Sequence, residues 1–358
     1  METLKKVPLS SHRIADYRVK KGHLIQIIRS NSYCVVKGYS IGGEAPKSFI
    51  KVKSSTPPKK TIKGKKGIVK AKERNEKKGK NKNLDVEGWD LYIAKTGHKW
   101  YPIESITEHL IARIGTVIGL NMAQSRLVQI NKQVRFLSKY FIEHELGQEL
   151  MHGADVLSIY FSDRPFVVEI QEKKREPEFF TLDIVCDAVK TVFPKEHVEI
   201  IECYFLMLIF DCWVGVQDRH FENWGIVKDV YGKSTPTFSP IYDSARGLFW
   251  NEKEEKLLSW IKYKQIDMQI DMQIKKSMPQ VGLNQGHKVN HFALIEDILR
   301  DQIIPIKSKA RTIFTDQALL NIEKMIQKEF VGILSNARIS LIVRCLQIRF
   351  FRLKNILH

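Results

Sequence analysis

The sequence predicts an α+β protein in two lobes, a mixed β/α N-lobe over residues 1–142 and a mainly helical C-lobe over residues 143–358. Three observations carry this: short β-branched runs in the first 95 residues, a nearly all-round apolar helix from about Val198 to Val216, and helical periodicity beyond Asn290. Of the 358 residues 43% are hydrophobic and 27% charged, with only 12 Pro and 20 Gly. That is a folding composition, which excludes disordered and collagen-like classes, and the length suits one large or two medium domains. The central apolar run Cys203 to Phe210 is bracketed by Glu202 and Asp211 and falls far short of the ~20 residues that span a bilayer. Met1 to Lys6 has no apolar stretch behind its charges, so neither an integral membrane protein nor a classical signal peptide is expected. Five scattered cysteines, none in a Cys-x-x-Cys pair, point to a reducing cytoplasm without structural zinc.

The formal net charge is +18, and its distribution decides what it means. Lys51 to Lys82 holds 14 Lys/Arg against Glu73 and Glu76, so +12 sits in 32 residues and only +6 in the other 326. Across residues 51–83 the large apolar side chains are Val52, Ile62, Ile68 and Val69, too few to offset the entropy of ordering the segment. It reads as a disordered basic insertion within the N-lobe. Without interleaved aromatics for base stacking, a solvated spacer is favoured over a nucleic-acid or anionic-partner arm.

Leu24 to Ile28 and Tyr33 to Val36 read as a hairpin. A Gly-containing loop over residues 38–48 follows, with Ser40-Ile41-Gly42-Gly43 leading to Lys47 and then to Ser48-Phe49-Ile50. Paired glycines let the backbone approach a phosphate, although a Gly-Gly turn between strands is also an ordinary hairpin. Residues 89–95 form a strand ending on Lys95, and residues 103–119 a helix with Ile103, Ile106, Leu110, Ile114 and Val117 on one stripe. Glu104, Glu108, Ala112 and Gly115 lie on roughly the opposite side, where small residues permit close approach and a carboxylate can reach inward.

The apolar helix delivers residues 216–225, which include Asp218-Arg219-His220 and Asn223. A hairpin turning near Tyr231-Gly232-Lys233 then brings back residues 239–245, ending on Tyr242-Asp243-Ser244. Folding at that turn sets Asn223 beside Asp243. Phosphoryl transfer needs a carboxylate for the acceptor hydroxyl and oxygen ligands for Mg²⁺ on the phosphates. Asp218 supplies the first, Asn223 and Asp243 the second, although Asp and Asn are also common turn formers. The glycine loop, the strand lysine and the helix glutamate agree with this in chain order.

Taken together, these motifs resemble the HipA-like serine/threonine kinases, a branch of the protein-kinase/phosphatidylinositol-kinase-like fold. Ser40-Ile41-Gly42-Gly43-Glu44-Ala45-Pro46-Lys47 is similar to the family's phosphate loop, Ile93-Ala94-Lys95 to its ATP-lysine strand, and Glu108 through Leu120 to its helix. Asp218-Arg219-His220-x-x-Asn223 and Ser239-Pro240-Ile241-Tyr242-Asp243 resemble its catalytic loop and metal-binding motif. The resemblance implies a two-lobed protein-kinase-like fold and ATP with Mg²⁺ as cofactors. It implies transfer to a Ser or Thr hydroxyl of a protein substrate, in a toxin, defence or effector role. Asp218, Asn223 and Asp243 are then catalytic, with Asn223 and Asp243 on the metal. Ser40, Ile41, Gly42, Gly43, Lys47, Lys95, Glu108 and His220 lie on the nucleotide side, where His220 orients the loop. A cytoplasmic location, or secretion as an effector without a classical signal, fits this reading. The roughly 39 residues before Ser40 argue against an antitoxin partner. Asp218-Arg219-His220 with Asn223 is also the form taken by phosphatidylinositol kinases, and a catalytically silent basic binding module is the non-enzyme alternative.

Family members autophosphorylate a serine in the phosphate loop, the place Ser40 occupies. A phosphate there adds about −1.5 to −2 charge where ATP phosphates must sit. Ser40→Glu is therefore expected to weaken ATP binding; unchanged affinity in a titration would remove this mode of regulation.

Overall fold

The computed structural model describes residues 25–36, 47–53, 88–97, 103–130, 133–283, 289–300 and 306–358. The expected phosphate-loop residues Ser40, Ile41, Gly42 and Gly43, and residues 54–83 of the basic insertion, lie outside the described residues, whereas Lys51 and Val52, expected at its disordered start, belong to a strand that buries Val52. The first sheet has six strands, β1 (Gln26–Ile27), β2 (Tyr33–Val35), β3 (Lys47–Val52), β4 (Asp90–Lys95), β5 (Ser125–Ile130) and β6 (Gln133–Lys139), with α1 (Glu104–Val117) between β4 and β5. Their order is β1-β5-β6-β4-β3-β2, and β1 pairs parallel with β5 while the other pairs are antiparallel.

The hairpin expected from Leu24 to Val36 is overturned here, because β1 and β2 occupy opposite edges of the sheet. Six strands laid flat would set those edges about 24 Å apart, whereas the six peptide steps from Ile27 to Tyr33 reach only about 20 Å. The sheet therefore curls until its edges approach. Inside the curl, Ile28, Ile50, Val52, Tyr92, Ala94, Val128, Ile130 and Leu137 form a small core of their own.

A second, much larger core joins the remaining elements, including α1. A three-stranded sheet of β7 (Gln148–His152), β8 (Gly225–Asp229) and β9 (Thr237–Phe238) is followed or interrupted by helices. These are α2 (Gly153–Phe161), α3 (Arg164–Glu172), α4 (Glu176–Phe179), α5 (Leu182–Val192), α6 (His197–Val214), α7 (Glu254–Lys262), α8 (Ile266–Lys276), α9 (His291–Arg300), α10 (Ile306–Ile313), α11 (Asp316–Glu329) and α12 (Asn336–Leu357). The architecture is the expected α+β one, a curled sheet on a mainly helical body. No helix of the described residues is long and apolar enough to cross a membrane.

Gln265 to Ile274 permits either strand or helix by its periodicity, and the fourfold spacing prevails. In α8 Ile270 and Ile274 are buried and Met268 and Met272 exposed, while Asp267 and Asp271, one turn apart, pair with Arg344 and Arg352 of α12. Asn336 to His358 carries five Lys/Arg and no acid, a pattern that predicts packing on the lobe with the arginines outward, which holds for Arg344 and Arg352 and needs correction at two positions. Arg338 is 2% exposed and Arg349 fully buried. Arg349 donates to the Cys212 carbonyl at 2.7 Å, and Arg338 pairs with Glu254 and donates to the carbonyls of Phe249 and Glu252. Arg338 is met by carboxylate and carbonyl oxygens, and Arg349 by the Cys212 carbonyl and the Gln273 carboxamide oxygen, with its Nε left without a partner among the described residues; such oxygens are what let a buried charge be tolerated.

Helix α6 is central, and from Tyr204 to its end it is buried on every side, as its sequence demands, with one acid in that stretch. Asp211 is completely buried and is met by Arg219, whose Nε and Nη2 lie 2.8 and 3.0 Å from its two oxygens. The helix ends at Gly215, in the left-handed region at φ +69°, where a Cβ would come within 2.9 Å of the Arg349 guanidinium. Conformation and space both select glycine.

Removing one partner of a buried ion pair leaves the other charge uncompensated, at a cost of about 3–5 kcal/mol. Asp211→Asn is expected to lower unfolding stability by that order in denaturant titration. Burial, then the nearby Arg349 charge, pushes the His291 imidazole down to about 3, whereas an unfolded histidine titrates near 6.5. Between those values the unfolded chain binds more protons, so this contribution to stability is complete above pH ~6.5 and is lost as pH falls toward 3. A thermal midpoint that declines on acidification below pH 6.5, less steeply in His291→Gln, is the expected result.

Candidate active site

Lys95 ends β4, and the β3–β4 register sets Lys47 directly opposite it. Cross-strand partners lie on the same face, so two ammonium groups emerge together where β3 begins and β4 ends. They tolerate each other because carboxylates meet them. Lys95 Nζ lies 2.7 Å from Glu108 Oε1 and 2.7 Å from Asp243 Oδ1, and Lys47 Nζ lies 3.3 Å from Asp243 Oδ2. Lys95 also stands over the Phe136 ring. Glu108 is on the buried side of α1, on the line of small and acidic residues expected to reach inward.

Electrostatics follow from burial. Lys95 is 7% exposed; desolvation alone would lower its ammonium, but Glu108 and Asp243 outweigh it and hold the group above its usual range. Desolvation pushes Glu108 up to about 7, with Lys95 opposing and Asp243 adding to the rise. Asp243 is held below the ordinary carboxylate range, since Lys95 and Lys47 outweigh its burial. Of the three carboxyl and ammonium groups around Lys95, Asp243 is the one reachable from the cleft, with 26% of its side chain exposed.

The loop after α6 carries Asp218, Arg219, His220 and Asn223. Phe221 and Trp224 anchor it in the large core, Phe221 edge-on to Phe180 and Trp224 against Tyr204 and Phe238. Gly153 permits this, as a Cβ there would sit 2.4 Å from the Trp224 ring. Asn223 Nδ2 donates to the Asp218 carbonyl at 2.7 Å, leaving the carboxamide oxygen as its group for a ligand. His220 Nδ1 accepts from the Glu222 N–H at 3.3 Å, and burial holds its imidazole low against the pull of Asp218. The structure thus gives His220 a bond within the loop.

Arg219 joins this loop to the returning strand. Its Nη1 donates to the carbonyls of Asn223 at 2.9 Å and Tyr242 at 2.6 Å, and its Nη2 to Ser244 Oγ at 2.6 Å, while its other face holds Asp211. The β8–β9 pairing places Ile226 against Phe238 and Val227 against Thr237, which brings Asp243 back beside Asn223. Asp243 itself has φ +53°, a left-handed conformation that Asp tolerates better than most residues. Tyr242 hydroxyl is hydrogen-bonded to His152 Nδ1 at 2.9 Å and donates to the Glu222 carbonyl at 3.0 Å.

Asp218, Asn223, Asp243, Lys47, Lys95, Glu108 and His220 therefore gather where β3, β4 and α1 meet the loop after α6. Sequence reasoning missed Asp211 and Arg219 as the tie between the two carboxylate-bearing segments, although an acid inside the apolar stretch Cys203 to Val214 signals a buried cation partner. It also missed Arg246, whose Nε lies 3.3 Å from Asp218 Oδ2 and 3.8 Å from Glu104 Oε1.

The donor set suits a hard cation with nucleotide phosphates. Asp243 and the Asn223 carboxamide offer oxygens, which Mg²⁺ prefers, and Lys47 and Lys95 offer charge for phosphate. Among the described residues no group of three or more His, Cys, Asp or Glu side chains is placed to hold a metal by itself.

Comparison with known proteins gives the architecture its relatives. The crystal structure of a Helicobacter pylori proinflammatory kinase, CtkA, superposes with a TM-score of 0.56 at 17% sequence identity, covering 75% of this chain and 87% of that one. The HipA of Shewanella oneidensis MR-1, from a toxin–antitoxin complex of HipA, HipB and operator DNA, gives a TM-score of 0.43 at 14% identity, covering 74% and 58%. No curated protein sequence matches the chain. Residues 39–318 match the HipA-like C-terminal domain, a span that holds Lys47, Lys95, Glu108, Asp218, Asn223 and Asp243, and the chain belongs to that family.

Proposed function

We propose that the chain is an ATP-dependent, Mg²⁺-assisted kinase that transfers a phosphoryl group to a Ser or Thr hydroxyl of a protein. The observation that carries the reading is the convergence of Lys95 and Lys47 on Asp243, with Glu108 behind Lys95, beside a loop that presents Asp218 and Asn223. Phosphate oxygens can replace Asp243 as the partner of the two lysines, and the Asp243 carboxylate with the Asn223 carboxamide is then available to Mg²⁺. Glu108 keeps Lys95 oriented throughout that exchange. Asp218 orients the acceptor hydroxyl and takes its proton. Bound Mg·ATP supplies the transferable phosphoryl group and neutralises the charge that develops on it.

Self-regulation through Ser40 belongs to the same reading. Ser40 stands seven residues before Lys47 in the chain, and Lys47 pairs with Asp243. A toxin, defence or effector role follows from the family and is proposed with it.

Removal of a catalytic proton acceptor costs about 10²–10⁴-fold in rate. Asp218→Ala is therefore expected to abolish most radiolabel transfer from γ-labelled ATP while retaining Mg·ATP binding, whereas Asp243→Ala and Lys95→Met should weaken the binding itself. Phosphoproteomes of cells expressing wild type or Asp218→Ala should differ at Ser or Thr sites. Label appearing in phospholipid instead would redirect the assignment to a lipid kinase, and a purified chain that fails to bind Mg·ATP would overturn the enzyme reading.

A further inference from the structure

Helix α1 carries two buried glutamates one turn apart, and each faces a cation of the cleft. Glu108 takes Lys95, on the nucleotide side of the proposed site. Glu104 faces Arg246, whose Nε stands 3.8 Å from Glu104 Oε1 and 3.3 Å from Asp218 Oδ2. One guanidinium thus links α1 to the carboxylate on the acceptor side.

The backbone of Arg246 is fixed as firmly as its head group. Its carbonyl accepts from the N–H of Gln217, the residue before Asp218, at 3.2 Å, and two residues on the Leu248 N–H donates to the Val214 carbonyl at 3.2 Å. Gly247 lies so close to the end of α6 that a Cβ there would meet the Val214 carbonyl at 2.7 Å. Leu248 and Phe249 both take positive φ, 47° and 61°, and the Phe249 carbonyl is held by the buried Arg338. The Arg246 guanidinium also lies over the Trp250 ring, 5.3 Å from its centroid. At the other end, α1 is fastened to α11 by a two-pronged Arg113–Glu329 pair at 2.8 and 2.9 Å. Both ends of the Glu104–Arg246–Asp218 chain therefore stand on rigid elements.

We propose that Arg246 is a positioning residue for the transfer step. It restricts the Asp218 carboxylate to one orientation and, through Glu104, ties that orientation to the helix that also sets Lys95. The inference rests on the kinase reading, since Asp218 needs a fixed direction only if it must meet an acceptor hydroxyl. A planar guanidinium shared between two carboxylates sets direction as well as charge, which an ammonium does less well. Small misplacement of a reacting group costs up to about 10²-fold in rate.

Two measurements on the full chain separate this inference from the function on which it rests. In the first, hydrogen exchange of the ligand-free protein is followed over residues 217–223. Arg246→Ala and Glu104→Gln are expected to speed exchange there while exchange in α6 and the thermal midpoint stay near wild type; unchanged exchange in both variants overturns the inference, whether or not the chain transfers phosphoryl groups. In the second, turnover is read as label incorporated from γ-labelled ATP, with Mg·ATP affinity measured in parallel. Arg246→Ala is expected to lose about 10- to 100-fold in kcat with affinity within about twofold, and Arg246→Lys to recover part of it. Combining Arg246→Ala with Glu104→Gln should be no worse than the poorer single variant, because both act through one chain of contacts. Full turnover in Arg246→Ala, a loss expressed only as weaker Mg·ATP binding, or additive effects of the two substitutions would each overturn the proposal. A wild-type chain without turnover whose exchange still responds would instead remove the kinase reading and leave Arg246 as the residue that orders the loop.

Discussion

Four charges at one end of the curled sheet, Lys47, Lys95, Glu108 and Asp243, hold this protein's cleft in its shape. Two lysines forced side by side by strand register would repel, and two carboxylates sunk among apolar side chains would protonate. Interleaved, each makes the others tolerable, and the result is a nearly dry network with one exposed member, Asp243. Low local dielectric strengthens such contacts and equally penalises their loss. The network joins β3, β4, α1 and the segment returning from β9, so the sheet and the helical body meet through it.

The helical body is organised to present that segment rigidly. Asp211 in α6 and Arg219 in the following loop form a buried pair, and the rest of the Arg219 guanidinium is spent on the carbonyls of Asn223 and Tyr242 and on Ser244. A charge in an apolar core is tolerated only where every donor finds an acceptor. Here satisfying Arg219 also draws together the two stretches that bear Asn223 and Asp243. Arg338 and Arg349 of α12 do similar work farther out, bracing the turn at Phe249 and the end of α6. Helix α1 belongs to the large core although it lies between strands of the curled sheet, so the two halves share an element as well as a charge network.

How legible this was varies with the range of the interaction. Asp218 and Asn223 are five residues apart on one loop and Asp243 returns across a short hairpin, so local spacing was enough to bring them together. Lys95 and Glu108 were marked by position, the end of a strand and the inward line of a helix. The opening hairpin was misread because alternation describes a strand but does not name its partner; β1 joined β5, some hundred residues away. The repeat at Ile266 to Ile274 fitted two periods, and the choice fell to Asp267 and Asp271, which in a helix meet Arg344 and Arg352. Arg338 and Arg349 looked like surface charges because an arginine's burial depends on carbonyls supplied from elsewhere in the chain.

By itself the sequence determined the class of the fold, the family's motifs and the nearness of Asp218, Asn223 and Asp243, since these rest on periodicity, composition and short spacings that any conformation must respect. Tertiary structure alone decided which charges face each other. Lys47 reaches Asp243 only through strand register, Arg219 finds Asp211 only when the loop folds back on α6, and Arg246 meets Glu104 and Asp218 only where α1 comes up to the loop after α6. Those pairings depend on burial and distance between segments remote in the chain, and neither quantity is written in any local stretch of residues.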